Sequence, residues 1–191
     1  SHAHTSATDS SHSHAHHEPG FFSKYIFSTD HKVIGIQYGV SALLFLLFGF
    51  LLMLVMRYQL ANPGKAVPLV GPLLEYVLGQ DAAKGGVVGG DLYNSFGAMH
   101  GTIMVFFGIV PLAVAGFGNI VVPLQVGAPD MCYPKLNMAS FWCFFTSGVL
   151  MMGSFFVPGS AAKSGWTAYP PLSGIADLPV DSSVWLNGQT V

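Results

Sequence analysis

Three long apolar stretches alternate with shorter polar ones along the chain. Val33 through Met56 carries no charged residue, Leu92 through Pro129 carries none, and Leu136 through Val157 is the third such run. At ~1.5 Å of rise per residue, each is long enough as a helix to cross a hydrocarbon core of ~30 Å. The pattern predicts an all-α membrane fold with three transmembrane helices, at about 33–57, 96–123 and 136–157. Ser28, Thr29 and Asp30 offer caps for the first. Arg57 and Tyr58 close it, and Pro158 with Gly159 stops the third. Pro111 lies inside the second, where neighbouring groups can repair the lost backbone bond.

Finer periodicity assigns faces to these helices. Gly35 and Gly39, with Ala42 a turn on, form a small-residue stripe that lets a neighbour approach. Gly101, Gly108 and Ala115 recur at seven and predict a second packing stripe, while His100, Met104 and Phe107 share a different face, which the pattern leaves to a ligand. Ser140, Ser147 and Ser154 also recur at seven and predict helix contacts. Between the spans, Phe21 to Lys32 is an amphipathic lead-in suited to the headgroup region. Ala61 to Asp91, rich in Pro and Gly, reads as an extramembrane loop, and Gln125 to Lys135 as a short turn. The stretch from Ser160 to Val191 is too polar to span and reads as if a further element followed it.

Composition supports the membrane reading. The chain is 51% hydrophobic and only 8% charged, with a mean hydropathy of +0.53, which is not the profile of a soluble domain. A net charge of −2 and a single arginine, Arg57, exclude a nucleic-acid partner. Lys24, Lys32 and Lys135 on one side balance Arg57, Lys65, Lys84 and Lys163 on the other, so charge bias leaves the topology open. Cys132 and Cys143 have no metal-type spacing and read as free thiols. Residues 1–20, with six histidines among Ser, Ala and Thr, predict a disordered His-rich tail whose paired imidazoles can bind a borderline divalent metal.

Against that background a few polar residues carry the candidate chemistry. His100 sits in a charge-free run, where an imidazole needs a partner: haem iron, or a neighbouring hydroxyl or carbonyl. Asp130, in the surface turn GAPDMCYPKLN, is either a proton collector acting with Asn119 and Asn137 or simply a turn former. Arg57 either meets a ligand or snorkels to the interface.

The strings FSTDHKVIG, MHGTIMVFF, GFGNIVVPLQVGAPDM and GWTAYPPL, in this order, resemble subunit I of the haem-copper respiratory oxidases over about Phe21 to Leu172. The match is to the first three helices of a twelve-helix-type bundle. The resemblance implies that His100 is one axial ligand of a low-spin haem, type a expected, with the second axial histidine on a later helix. It implies that Arg57, in RYQLANPG, bonds the haem formyl group, that Tyr93 and Met104 line the haem, and that Trp166 lies near haem propionates. It makes Asp130 the entrance of a proton path lined by Asn119 and Asn137. The high-spin haem and copper are expected in the complete subunit, their ligands lying outside this chain, so the chain is expected to be a fragment or one piece of a split subunit.

The implied partners are the remainder of subunit I, other oxidase subunits including the one with the copper entry centre, cytochrome c as donor, and the lipid membrane. The implied location is the cytoplasmic (inner) membrane, or the mitochondrial inner membrane for an organelle, with the N-terminal tail on the cytoplasmic or matrix side. Some quinol-oxidising relatives carry an aspartate and a histidine where this chain has Ala61 and Leu92, which favours cytochrome c over quinol. Met138 replaces the second asparagine of the family's usual pair. Gln59 stands where some members have an acidic residue that serves a cation site. Two readings of other classes remain: a metal-transporter subunit with a His-rich sensor tail, and a non-catalytic assembly fragment.

Overall fold

A computed structural model describes residues 20–80, 82–157 and 161–170. The expected tail therefore lies outside the described residues except for Gly20, as do Pro158 and Gly159. The described residues are helical, without strands, and hold three helices long and apolar enough to cross a membrane. These are α1 (His31–Ala61), α3 (Gly90–Val126) and α4 (Pro134–Phe156). A two-turn helix, α2 (Gly71–Leu78), lies between α1 and α3.

Each boundary has a local cause. Asp30 caps α1, its carboxylate accepting from Lys32 N at 2.9 Å. Gly127 ends α3 in the left-handed region at φ 72°, which its missing Cβ permits, and the Ala128 N–H returns to Pro123 O. Pro134 opens α4 in its first turn, where no N–H is needed. The segment expected to be only a loop contains α2 because Pro72 sits in its first turn and Leu74 and Leu78 pack on the core. A run this short has too few turns to show a helical period in sequence.

Helix α1 is central. It runs antiparallel to α3 in close contact along its length and touches α4 over a shorter stretch. The larger core lies toward the α2 end, around Phe45, Leu52, Val55, Leu92, Phe96, Met99, Ile103 and Phe107, roofed by Val67, Ala83 and Val88 from the loop. The smaller core, Ile34, Tyr38, Met138 and Phe141, joins α1 to α4 at the other end. Burying each such side chain is worth ~1.5–3 kcal/mol relative to water, but in lipid the gain between helices comes from packing, which the fit of these surfaces provides.

The expected faces are only partly used. Gly35 meets Gly116 and Asn119, and Gly108 meets Leu46, as packing positions should, but Gly101 has open space beside it. The face of His100, Met104 and Phe107 is not free for a ligand alone: it packs on α1, with Phe107 against Phe45. The reason is visible in α3, where Ile103–Ile109 and Pro111–Phe117 are π-helical. Their i→i+5 bonds shift the register, so positions seven apart do not stay on one stripe. Of the three serines, Ser140 alone has a hydrogen bond between helices among the described residues, to Tyr38 Oη at 3.0 Å. Ser147 and Ser154 donate to carbonyls three residues back in their own helix.

Candidate functional site

The candidate residues fall at two ends of the bundle. Toward the α2 end, His100 is half-buried on α3, and its Nδ1 lies 2.8 Å from the Gly49 carbonyl of α1. A carbonyl can only accept, so Nδ1 carries the proton and Nε2 of the neutral ring keeps its lone pair. Nε2 makes no hydrogen bond among the described residues. The contact depends on glycine, because a Cβ at position 49 would lie 2.6 Å from Met104 Cγ. Met104 thus covers Gly49 one turn along from His100. Tyr93 is half-buried against the core formed by Leu92, Phe96 and Met99.

Arg57 is exposed and makes no ion pair or hydrogen bond among the described residues. His100 is level with Gly49, and Arg57 lies about two turns, ~12 Å, further along α1. Trp166 is 62% exposed, edge-on to Phe106 at 5.6 Å, on a different face of α3 from His100. Its segment is tied down by Ser95 Oγ donating to Ala161 O at 2.9 Å and by Lys163 with Asp91 at 3.0 Å.

At the other end, Asp130 lies in the turn between α3 and α4. Its Oδ1 accepts from the Met131 N–H at 2.7 Å and lies 3.0 Å from Nδ1 of His31. Slight desolvation pushes its pKa up, but the Met131 N–H and His31 outweigh that and hold the carboxyl below its ordinary value. Asp130 and Asn137 line one open cleft of about 460 Å³ with Val122, Leu136 and Ser140. Asn137 Nδ2 donates to Asn119 Oδ1 at 2.5 Å, and Asn119, 5% exposed, donates onward to Ala115 O at 2.7 Å. The two amides thus meet directly across the junction of α3 and α4.

Residues 33–190 match the family described as Cytochrome C and Quinol oxidase polypeptide I. The chain belongs to that family. It is 40% identical over 166 residues to "Cytochrome c oxidase subunit 1" of Thermostichus vulcanus, covering 87% of this chain and 26% of the relative. It is 39% identical over 180 residues to "Probable cytochrome c oxidase subunit 1-beta" of Nocardia farcinica, covering 93% of this chain and 27% of the relative. The chain thus spans about a quarter of the length of the curated relatives it matches.

As part of an oxidase polypeptide I, the chain is a multi-pass membrane protein of a haem-copper family, for which haem and copper are the expected groups. The donor set fits one haem ligand: an imidazole with Nδ1 held by a carbonyl and Nε2 unpaired has the outer bond that orients metal-bound histidines. It does not supply a multi-ligand metal site, since no group of three His, Cys, Asp or Glu residues gathers among the described residues. Two residues of these sites escaped the sequence reading. Gly49 acts through its backbone, which leaves only a glycine in an apolar run. His31 stands within FSTDHKVIG, where the neighbouring Asp30 reads as a cap, and nothing local signals a partner 99 positions away.

Proposed function

We infer that the chain is the N-terminal part of the catalytic subunit of a terminal respiratory oxidase. The complete enzyme reduces oxygen to water with electrons from cytochrome c and couples this to proton pumping. The observation that carries the reading is the His100 Nδ1 bond to Gly49 O, which fixes the tautomer and leaves Nε2 as the ligand atom.

His100 would hold a low-spin haem, expected to be of type a, through Nε2, and the haem when bound would carry single electrons. Met104 and Tyr93 would line it. Arg57, two turns beyond the level of His100, would lie near the formyl group and its charge would favour the reduced state. Trp166 would lie toward the propionates. The second axial histidine, the high-spin haem and the copper belong to the remainder of subunit I, and the copper entry centre to another subunit. Leu92, 1% exposed in the core, offers no polar group to a quinol, which supports cytochrome c as donor. The membrane is the bacterial inner membrane or that of mitochondria.

Asp130 opens the proton path. It is ionised at neutral pH, is 40% exposed, and shares a cleft with Asn137. Oδ2 takes a proton from the aqueous side and releases it to water at the Asn137 amide. The direct Asn137–Asn119 bond means that this water passes beside the amide pair rather than between its members.

The deciding experiment is His100→Ala in the full-length subunit. The expected result is loss of the low-spin haem absorption together with oxygen reduction. A folded variant with an unchanged low-spin spectrum overturns the reading.

A further inference from the structure

Gln59, on the last turn of α1, is a buried polar side chain that none of the chemistry above uses. It is 8% exposed, and both ends of its amide are bonded. Oε1 accepts from the Val88 N–H at 3.1 Å, and Nε2 donates to the Asn62 carbonyl at 3.2 Å. Both partners are backbone groups with fixed roles, so the orientation of the amide is not arbitrary. Turned over, it would set its NH2 against an N–H and its oxygen against a carbonyl.

Residue 59 is also where some family members have an acidic residue that serves a cation site, and the groups present here do not fit a cation. A hard cation such as Ca2+ needs six to eight oxygens converging on it. Here the Asn62 carbonyl already accepts twice, from Gln59 Nε2 and from Lys65 N at 3.2 Å, and the Gln59 oxygen is committed to Val88. To meet a cation beside Asn62 O, the amide would have to turn over and leave the buried Val88 N–H facing another donor, an unsatisfied buried group that folding disfavours. Cation binding and the observed bonds exclude each other.

We propose that the Gln59 amide is a built-in replacement for a bound cation: a neutral clasp that joins the end of α1 to Val88, just before α3, and makes the 62–89 loop independent of metal ions. A carboxylate at this position can still accept from Val88 N, but its second oxygen then faces the Asn62 carbonyl. Two acceptors then face each other, a repulsion that a cation between them relieves. Position 59 therefore chooses between a cation-dependent and a cation-free closure of the loop. The inference rests on family membership and on these hydrogen bonds, not on haem ligation, so it and the haem reading stand or fall separately.

The test uses the full oxidase complex as wild type, Gln59→Glu and Gln59→Leu. Its readouts are Ca2+ bound per complex by equilibrium dialysis and thermal unfolding in EGTA against millimolar CaCl2. Wild type and Gln59→Leu are expected to bind the same Ca2+, with Gln59→Leu unfolding at a lower temperature in both buffers. Gln59→Glu is expected to bind one additional Ca2+, to lose Tm in EGTA and to recover it in CaCl2. Three results overturn the proposal: wild type losing stability in EGTA, a wild-type Ca2+ that disappears in Gln59→Leu, or Gln59→Glu as stable in EGTA as wild type with no extra ion. Should Gln59→Glu fail to assemble, the wild-type and Gln59→Leu arms decide alone, since a cation-free clasp demands an EGTA-insensitive wild type and a Gln59→Leu complex weakened in both buffers.

Discussion

At the His100 end the contacts of His100 and Gln59 are directed at backbone, an imidazole N–H on the Gly49 carbonyl and a glutamine amide between Asn62 and Val88, while the Lys163–Asp91 ion pair lies nearer the surface. At the Asp130 end a half-exposed carboxylate meets a buried histidine at the mouth of an open cleft, beside the neutral Asn137–Asn119 pair. The difference follows from what each end has to do. A group that orients a ligand must not change charge and gains from a dry, tightly packed site. A group that collects protons must titrate and must reach water. The first kind of site breaks when packing is disturbed, the second when charge is removed, and substitutions at the two ends separate these failures.

The largest effect is expected from Gly49→Val. Its Cβ meets Met104 Cγ at 2.6 Å and its branched methyls crowd the carbonyl that holds His100. Overpacking of this kind costs ~1–3 kcal/mol in general, and the low-spin haem absorption should fall with it. Truncating Met104 to Ala in the same subunit should restore part of the absorption. No recovery in the double variant would mean that the glycine matters for some reason other than this contact.

Next is Asp130→Asn, which keeps size and turn preference while removing the anion. Oxygen uptake is expected to drop by about 10²-fold, the scale on which a positioned proton-transfer group acts, and external acidification by reconstituted vesicles should stop. Both haems should assemble with normal spectra. Wild-type turnover with intact pumping would leave Asp130 as a turn former only, and the contrast between the two ends would collapse.

Arg57→Met is a smaller change because the guanidinium is exposed and two turns from the level of His100. A unit charge ~10 Å away at an effective dielectric of ~20 is worth ~1.7 kcal/mol before screening. The haem is therefore expected to remain bound, with its absorption shifted and its midpoint potential lower by a few tens of mV. A redox titration that superimposes on wild type would reduce Arg57 to an interfacial anchor.

How much of this was readable beforehand divides along the same line. The three spans were plain because charge-free runs of that length have few alternatives, and Asp30 as a cap carries local chemistry. Face assignment failed at Gly101 because π-helical turns in α3 break the period that the reading relied on. Gly49 and Gln59 act through bonds to backbone, which no side-chain pattern marks. Asp130, Asn119 and Asn137 were legible as a group since a turn keeps them near in sequence, whereas the pairing of His31 with Asp130 is a long-range contact made only when α1 packs beside the α3–α4 turn.

That pairing gives the subtlest test of the comparison. The folded carboxyl of Asp130 titrates below its ordinary value, with the Met131 N–H and His31 as the stabilising contacts. A carboxyl with a lowered folded pKa adds stability that is complete above its unfolded value of ~3.9 and is lost as the pH falls through the lower folded value. The contact is thus intact across neutral pH and fails only in acid. His31→Leu removes the imidazole contact and leaves the backbone N–H contacts from Met131 and residue 31, so the carboxyl should move part of the way back up toward its ordinary value. The loss of stability should be at most ~1 kcal/mol, because Asp130 is 40% exposed and solvent screens the pair. The pH profile of proton uptake is the sharper measure: its acid limb should shift to higher pH in His31→Leu, while turnover at neutral pH stays close to wild type. A purely structural His31 would lower stability without moving that limb, and a profile coincident with wild type would show that the histidine packs α1 against the turn without tuning the carboxylate.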